Sequence, residues 1–584
     1  MVPSHLRRFS RVAVLGMALF ATGALPACAD TAAPAPVAST AGDFLAGKFA
    51  VSQGDPGVAA IYFGRALARR PTDSLLLRRA FQAALMSGSP EAARLARRLP
   101  DDQAAILLRV ATDARAGAWP RAEAAARTLP RDGQAGLLRP VLLAWARQGE
   151  GQTDAALATL APLLAEPHAP GFYLLHAALI ADLGGHTAEA ATLYRRAAGA
   201  LGPGDLRTSL IIGSFDYRHG RRPAALRRLD ALGQAVPEFS IALPALAGTL
   251  AQRPVSSAAA GMAEAFLGLG ATLQTADRPE SALAMLRLAL AARPGFAPPL
   301  LLSAELLSDQ DHLRQALALL AGVALNDPLD PVATLEAADL LHRLGQPQKA
   351  LRRLDRLQRL FPHSALPFGA AGDILRDTHK LQAAIAAYTR ALANAAPPTR
   401  RDWVLLYNRG IAYDEAGDWP RAEADFHHAL HLSPDQPLVL NYLGYSWADR
   451  GVHLPEAQRM IETAARARPD SAAITDSLGW VLLRRHDIAR AVTVEQRAAE
   501  LAPDDPTINA HLGDVYWAAG RKLEARYQWE RALTLGLEPS AAAKLRVRLR
   551  HDRASARQPA ARTKAGTKSA AAKPATDVPA TRLR

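Results

Sequence analysis

The chain repeats itself about every 34 residues, and no composition or single motif restricts its fold as tightly as this period. A small residue recurs at Gly270, Ala304, Ala338, Gly372, Gly410, Gly444, Gly479 and Gly513, at intervals of 34, 34, 34, 38, 34, 35 and 34 residues. Twelve residues after most of these stands a second small residue: Ala282, Ala316, Ala350, Ala384, Ala422, Ala491 and Ala525, with Ala457 displaced by one. A bulky residue follows at Leu286, Leu320, Leu354, Tyr388, Phe426, Ile461 and Trp529; Glu495 departs from the rule. Prolines close many units, at Pro294, Pro328, Pro362, Pro434, Pro469 and Pro503. Small residues at the first two positions let antiparallel helices approach closely, and the bulky position fills the space they leave. A unit of this kind cannot bury its apolar face alone, so the units must stack.

The pattern resembles the tetratricopeptide repeat, whose signature runs W-x2-L-G-x2-Y, A-x3-F and P. The fullest matches are Tyr442-Leu443-Gly444, Ser477-Leu478-Gly479 and His511-Leu512-Gly513-Asp514-Val515-Tyr516. Weaker copies continue upstream, with the second-helix alanine at Ala59, Ala92, Ala122, Ala156, Ala190 and Ala225. The reading is an all-α solenoid superhelix of about fourteen helix-turn-helix repeats. Pro-Asp at Pro434-Asp435, Pro469-Asp470 and Pro503-Asp504 is expected to end one helix and N-cap the next. The register fails between Pro237 and Ala258, where 57 residues separate Gly213 from Gly270. An extra helix around Ser240 to Gln252, forming a joint between two solenoid halves, and an ordinary divergent repeat both fit. The expected layout is a signal segment at 1–29, a linker at 30–40, degenerate repeats at 41–257, regular repeats at 258–549 and a disordered basic tail at 550–584.

Arg7, Arg8 and Arg11, then the apolar run Val12 to Leu25, then Ala27-Cys28-Ala29, have the order of an export signal. Leu25-Pro26-Ala27-Cys28 resembles a bacterial lipobox, in which Cys28 would carry a lipid and tether the protein to a membrane; cleavage after Ala29 would instead discard it. Cys28 is the only cysteine, so disulfides have no part in the fold. Either processing places the protein in the periplasm, free or membrane-anchored.

The net charge of +14 suggests nucleic acid until it is localised. The signal carries three of these charges and the tail seven, which leaves +4 on the solenoid. Nucleic acid is therefore not an expected partner. The tail, rich in Ala, Lys, Thr and Pro, is suited to contact with anionic lipid or cell wall, or serves only solubility.

Catalytic motifs are weak. Gly444-Tyr445-Ser446-Trp447-Ala448 comes within one residue of a nucleophile elbow, but that motif needs a strand before it and here lies inside a repeat helix. His427 and His431, spaced i, i+4 beside His428, have no third ligand at a suggestive spacing and read as a solvated face. No phosphate loop is present. The sequence points to a non-enzyme with no cofactor and no metal.

Resemblance to tetratricopeptide proteins places ligands on the concave face, lined by first helices. Transferring the usual contact positions selects Tyr407, Asn441, Tyr445, Asp476, Trp480, Asp514 and Trp517 as a partner-binding groove. Of 19 Trp and Tyr residues, 12 lie between Trp403 and Trp529, which concentrates candidate anchors there. Tyr413, Trp447, Tyr516 and Trp529 fall at positions the repeat uses for its own packing and are left out. Residues 403 to 535 further resemble the last repeats of envelope tetratricopeptide lipoproteins, through Asn441-Tyr442-Leu443-Gly444-Tyr445-Ser446-Trp447-Ala448-Asp449-Arg450-Gly451 and Asp476-Ser477-Leu478-Gly479-Trp480. Some of that group are adaptors of carboxyl-terminal processing proteases. The resemblance implies a periplasmic scaffold that joins protein partners, such as an envelope protease and its substrates. A glycan-handling module in exopolysaccharide assembly or export is the alternative, with Trp and Tyr stacking on sugar rings.

Overall fold

The computed structural model describes residues 39–557 except 167, 203, 204 and 396, with the side chains of 552–557 left aside. The signal segment, Cys28 and most of the linker and basic tail lie outside the described residues. Thirty α-helices and two short 3-10 turns make up the described chain, with no strand among them. In chain order they make six helix pairs before Val236 and eight between Ala258 and Thr534, matching the fourteen repeats that the period implies. Where the register fails, a 3-10 turn at Pro237–Ile241 leads into one short helix, Leu243–Thr249. Among the described residues no helix is long and apolar enough to cross a membrane.

The repeat period has a direct steric cause. A Cβ built on Gly372 would come within 2.5 Å of the Tyr388 ring, and one on Gly513 within 2.3 Å of the Trp529 indole. Ile461 and Glu495 stand in the same way over Gly444 and Gly479, at 2.8 and 2.4 Å. The bulky position of each unit therefore lies on its own small position, so neither can change alone. The turns inside the repeats share a second device that periodicity of apolar residues does not reveal. Each of the fourteen contains a residue with positive φ, usually Gly, as at Gly151 and Gly417, but Asp277, Asp311, His379 and His486 in four of them. A left-handed residue ends the first helix and reverses the chain within three or four residues.

Two expectations about helix ends shift. The caps after the Pro-Asp pairs lie one residue later, at Gln436, Ser471 and Asp505, because Pro-Asp itself forms the turn. Ser471 accepts from the amide of Ile474, and Asp505 from those of Thr507 and Ile508. The last helix, Pro539–Arg557, runs past the boundary at 550, because Leu545 and Leu549 bury against the Tyr516 and Trp529 core.

The chain divides into two compact units, one continuing to Asp425 and the other beginning at Phe426. In the first, the interior is filled by the chain itself. The first helices α2 (Gln103–Arg115), α3 (Gly133–Gly149) and α4 (Gly171–Leu183) all pack on α5 (Ala258–Thr275). The helix after it, α6 (Pro279–Ala292), packs on α2 and on α1 (Ser74–Ser87). One apolar core consequently runs from Ala50 to Leu306, across position 257. The sequence of α5, AAAGMAEAFLGLGATLQT, is apolar on nearly every face and carries a single charge. A helix with no polar side is soluble only when surrounded.

Specific contacts fix this insertion. Gly261 lies against the Trp145 indole, at 2.3 Å from a Cβ placed there, so any side chain would drive α5 outward. Trp145 is fully buried and donates from Nε1 to Nδ1 of His176 at 3.1 Å. Burial holds the His176 pKa down to about 3, so the ring is neutral and Nε2 carries its proton. Glu264, the one charge of α5, is buried and paired with Arg207. Farther along, Arg287 donates to the carbonyl of Met86 at 2.9 Å and Gln315 to that of Gly54 at 2.7 Å. These bonds close residues 279–320 onto the first two repeats.

Candidate functional site

Because α5 covers the first helices of the early repeats, the surface that a solenoid ordinarily offers to a ligand is already taken there. The second unit is built differently. Its first helices α7 (Pro437–Arg450), α8 (Ala472–Arg484) and α10 (Pro506–Ala518) carry six of the seven candidate groove residues. Tyr407 belongs to the first unit, on the helix Trp403–Glu415, where its ring meets Trp403 at 5.9 Å and burial raises its pKa to about 12. Nearby Asn408 is buried and donates to Asp373 at 2.9 Å, a bond internal to the fold.

In the second unit a cleft of 530 Å³ opens at the carboxyl-terminal ends of α8 and α10, lined by Trp480, Leu483, Arg484, Asp514, Trp517 and Arg548 among others. Trp517 is 36 % exposed and leans on Trp529 at 5.3 Å, with the Lys522 ammonium 5.1 Å from its ring centre. Trp480 is half-buried, and its Nε1 has no acceptor among the described residues. Asp514 is not a free acceptor. It takes hydrogen bonds from Trp529 Nε1 at 3.0 Å and from Arg548 Nη1 at 2.5 Å, and so ties the cleft wall to the last helix, α11 (Pro539–Arg557). The cleft combines two indole faces with two guanidinium groups, the composition of a protein-binding hot spot.

The other candidates gather around a residue that repeat phase did not select. His511 stacks on Trp480, with ring centres 4.5 Å apart and planes 22° from parallel, and Tyr445 lies 6.5 Å away. Its Nδ1 is 2.9 Å from Asp476 Oδ1. Glu495, on α9 (Ile488–Leu501), completes the group: one ligand-type atom each from Asp476, Glu495 and His511 lies within 4.8 Å of the others. Glu495 is wholly buried, and neither of its oxygens has a hydrogen-bond partner among the described residues. Burial, then the nearby Asp476 and Asp514, raises its pKa well above the carboxylate range. For His511 burial acts against the charged ring, but Asp476, Asp514 and Asp449 outweigh it and hold its pKa above the ordinary value. Burial and the neighbouring acids likewise raise the Tyr445 phenol. Asn441 is half-buried, with its Oδ1 unpartnered.

The sequence signal for Glu495 was its departure from the bulky rule. His511 had no such signal, because it comes 35 residues after Asp476 and 16 after Glu495, on another helix. The aromatics set aside as packing residues are mostly buried: Trp447, Tyr516 and Trp529 are each under 9 % exposed. His427, His428 and His431 are all exposed, and Ser446 is buried within α7.

The family model for the tetratricopeptide repeat matches residues 301–365, 370–437, 407–452, 453–506 and 477–543. A tetratricopeptide-repeat-containing protein of Pseudomonas aeruginosa is 30 % identical over 183 residues, covering 31 % of this chain and 30 % of that protein. Tetratricopeptide repeat protein 13 of Homo sapiens is 29 % identical over 139 residues, 24 % of this chain and 16 % of that one. The chain thus spans less than a third of the length of either curated relative. A solved tetratricopeptide repeat protein from Parabacteroides merdae is 15 % identical, covers 48 % of this chain and 96 % of its own, and superposes with a TM-score of 0.31.

Proposed function

We propose that this tetratricopeptide-repeat protein is a non-enzymatic scaffold of the bacterial envelope that captures protein partners in the cleft of its last repeats. Tetratricopeptide repeats serve as scaffolds for protein–protein interaction, and the observation that carries the reading here is the cleft of Trp480, Arg484, Trp517 and Arg548. The exposed indole face of Trp517 offers a partner a large apolar contact, and the guanidinium groups of Arg484 and Arg548 offer hydrogen-bond donors. The cover of α5 over α2, α3 and α4 removes those first helices as a docking face. The signal-like segment at 1–29 supports export to the periplasm, and Cys28 offers a lipid tether. An adaptor that joins an envelope protease to its substrates would raise the local concentration of one at the other.

The test is crosslinked co-purification from the envelope fraction, comparing wild type with the Trp480→Ala, Trp517→Ala double variant. Enrichment of a protease or wall hydrolase with wild type, lost in the variant, supports both the role and the cleft. Polysaccharide-export components in its place would support the glycan reading, and an unchanged partner set would remove the cleft from the role.

A further inference from the structure

Glu495 occupies the position that in other units holds Leu, Tyr, Ile or Trp over the small residue of the first helix. A carboxyl group there is costly. It lies against Gly479, is wholly buried, and finds no donor for either oxygen. The polar group it does face is another carboxyl, that of Asp476. Two carboxyl groups can meet in a low-dielectric interior only with positive charge beside them, and the candidates are a proton, shared between the acids or held by His511, or a metal cation. His511 argues for the second. Its imidazole is held against Asp476 and stacked beneath Trp480, which presents a nitrogen ligand at a fixed orientation beside two oxygen ligands.

We propose that Asp476, Glu495 and His511 form a binding site for one divalent transition-metal ion of the zinc class. Two carboxylates and one imidazole are a borderline-hard ligand set, suited to zinc and its first-row neighbours rather than to thiolate-seeking ions. An ion about 2.0–2.2 Å from each ligand requires ligand separations of roughly 3.5 Å. The three atoms already lie within 4.8 Å of one another, so binding would require only that the side chains draw together by about an ångström. Asp449 and Asp514 add negative potential at His511, so the surroundings favour a cation. The ion would join α8, α9 and α10 and fix the plane of Trp480 at the edge of the cleft.

The experiment uses tag-free full-length protein stripped with chelator and titrated with Zn²⁺ by calorimetry and with Co²⁺ by visible absorption and tryptophan fluorescence. Wild type is expected to bind one equivalent of each. Co²⁺ should give ligand-field bands and quench indole emission, since Trp480 stacks on a ligand. Glu495→Gln, which keeps shape and removes charge, should weaken binding at least tenfold; Asp476→Asn should do the same, which guards against one variant failing to fold. The His427→Ala, His431→Ala variant should bind as wild type does. A stripped protein that takes up no Co²⁺, or affinities unchanged in both carboxylate variants, would overturn the proposal and leave a shared proton only.

Discussion

In the first unit three of the first helices, α2, α3 and α4, are buried under α5, a helix of the same chain. In the second, the helices at the same place in the repeat carry indoles, acids and a histidine around a cleft. One repeat pattern has thus been put to two uses, and the residues at its inner positions decide which. Where they are Ala, Leu, Trp and Phe they make an apolar bed that must be covered. Where they are Trp480, Asp514 and Trp517 they line a cleft open to water. The difference teaches that a repeat family fixes the frame, while the inner face is free to become either core or site.

Acid should separate the two regions most strongly. His176 has a pKa of about 3 when folded against 6.5 in its ordinary state, so the unfolded chain binds a proton that the native state refuses. Stability is then fully present above pH 6.5 and falls as pH drops toward 3, by about 5 kcal/mol in all. Melts between pH 7 and 4, followed through Trp145 and through Trp480 separately, should show the first unit failing first. His176→Gln, which cannot titrate, should flatten that loss; an unchanged acid limb would mean that the burial of His176 is not what limits the first unit.

Next comes the insertion of α5. Gly261→Leu forces a side chain into the space of the Trp145 indole and should cost about 3 kcal/mol, with early hydrogen exchange in α2, α3 and α4. Equal exchange in wild type and variant would show that α5 does not cover these helices. The cleft should answer to a third change: Trp480→Ala should weaken partner binding about 30-fold, or ~2 kcal/mol, and leave the melt of the first unit untouched.

The fourth change acts on Glu495. In chelator-treated protein, Glu495→Leu restores the bulky apolar residue of the other repeats and should stabilise the second unit by about 1–2 kcal/mol, read as a raised Tm. A lowered Tm would show that the carboxyl is better satisfied than its surroundings indicate. The smallest effect belongs to the turns. Asp277→Gly relieves a left-handed residue at φ 57° and should add no more than about 1 kcal/mol. No gain would mean that the aspartate is stabilised locally.

How much of this was legible follows from where each contact lies along the chain. Gly513 and Trp529 are 16 residues apart, and the same pairing recurs at Gly270, Gly372, Gly444 and Gly479, so the repeat could be read directly. The cover of α5 on α3 joins Gly261 to Trp145, more than a hundred residues away, and no period announces it. Its one local sign was the nearly all-apolar face count of 258–275, which in a row of amphipathic helices can only mean enclosure. Repeat phase selected Trp480 and Trp517, and both line the cleft. His511 was missed, because three helices must assemble before it meets Asp476 and Glu495, and spacings of 19 and 16 residues resemble no ligand motif. Asp514 was read as a groove acid, yet Trp529 and Arg548 hold it, a pairing visible only once α11 is in place.

The position of α5 also sets an order of events. A chain made from its amino terminus presents the bed of α2, α3 and α4 well before residues 258–275 exist to fill it. Until then its apolar inner face stands open, and closing it requires loops that run from Leu183 or earlier to Ala258, which is slow compared with stacking one repeat on the next. A chain in that half-built state has the kind of surface that chaperones hold and proteases find. The first six repeats are therefore the part of the molecule whose survival depends on how quickly the seventh arrives.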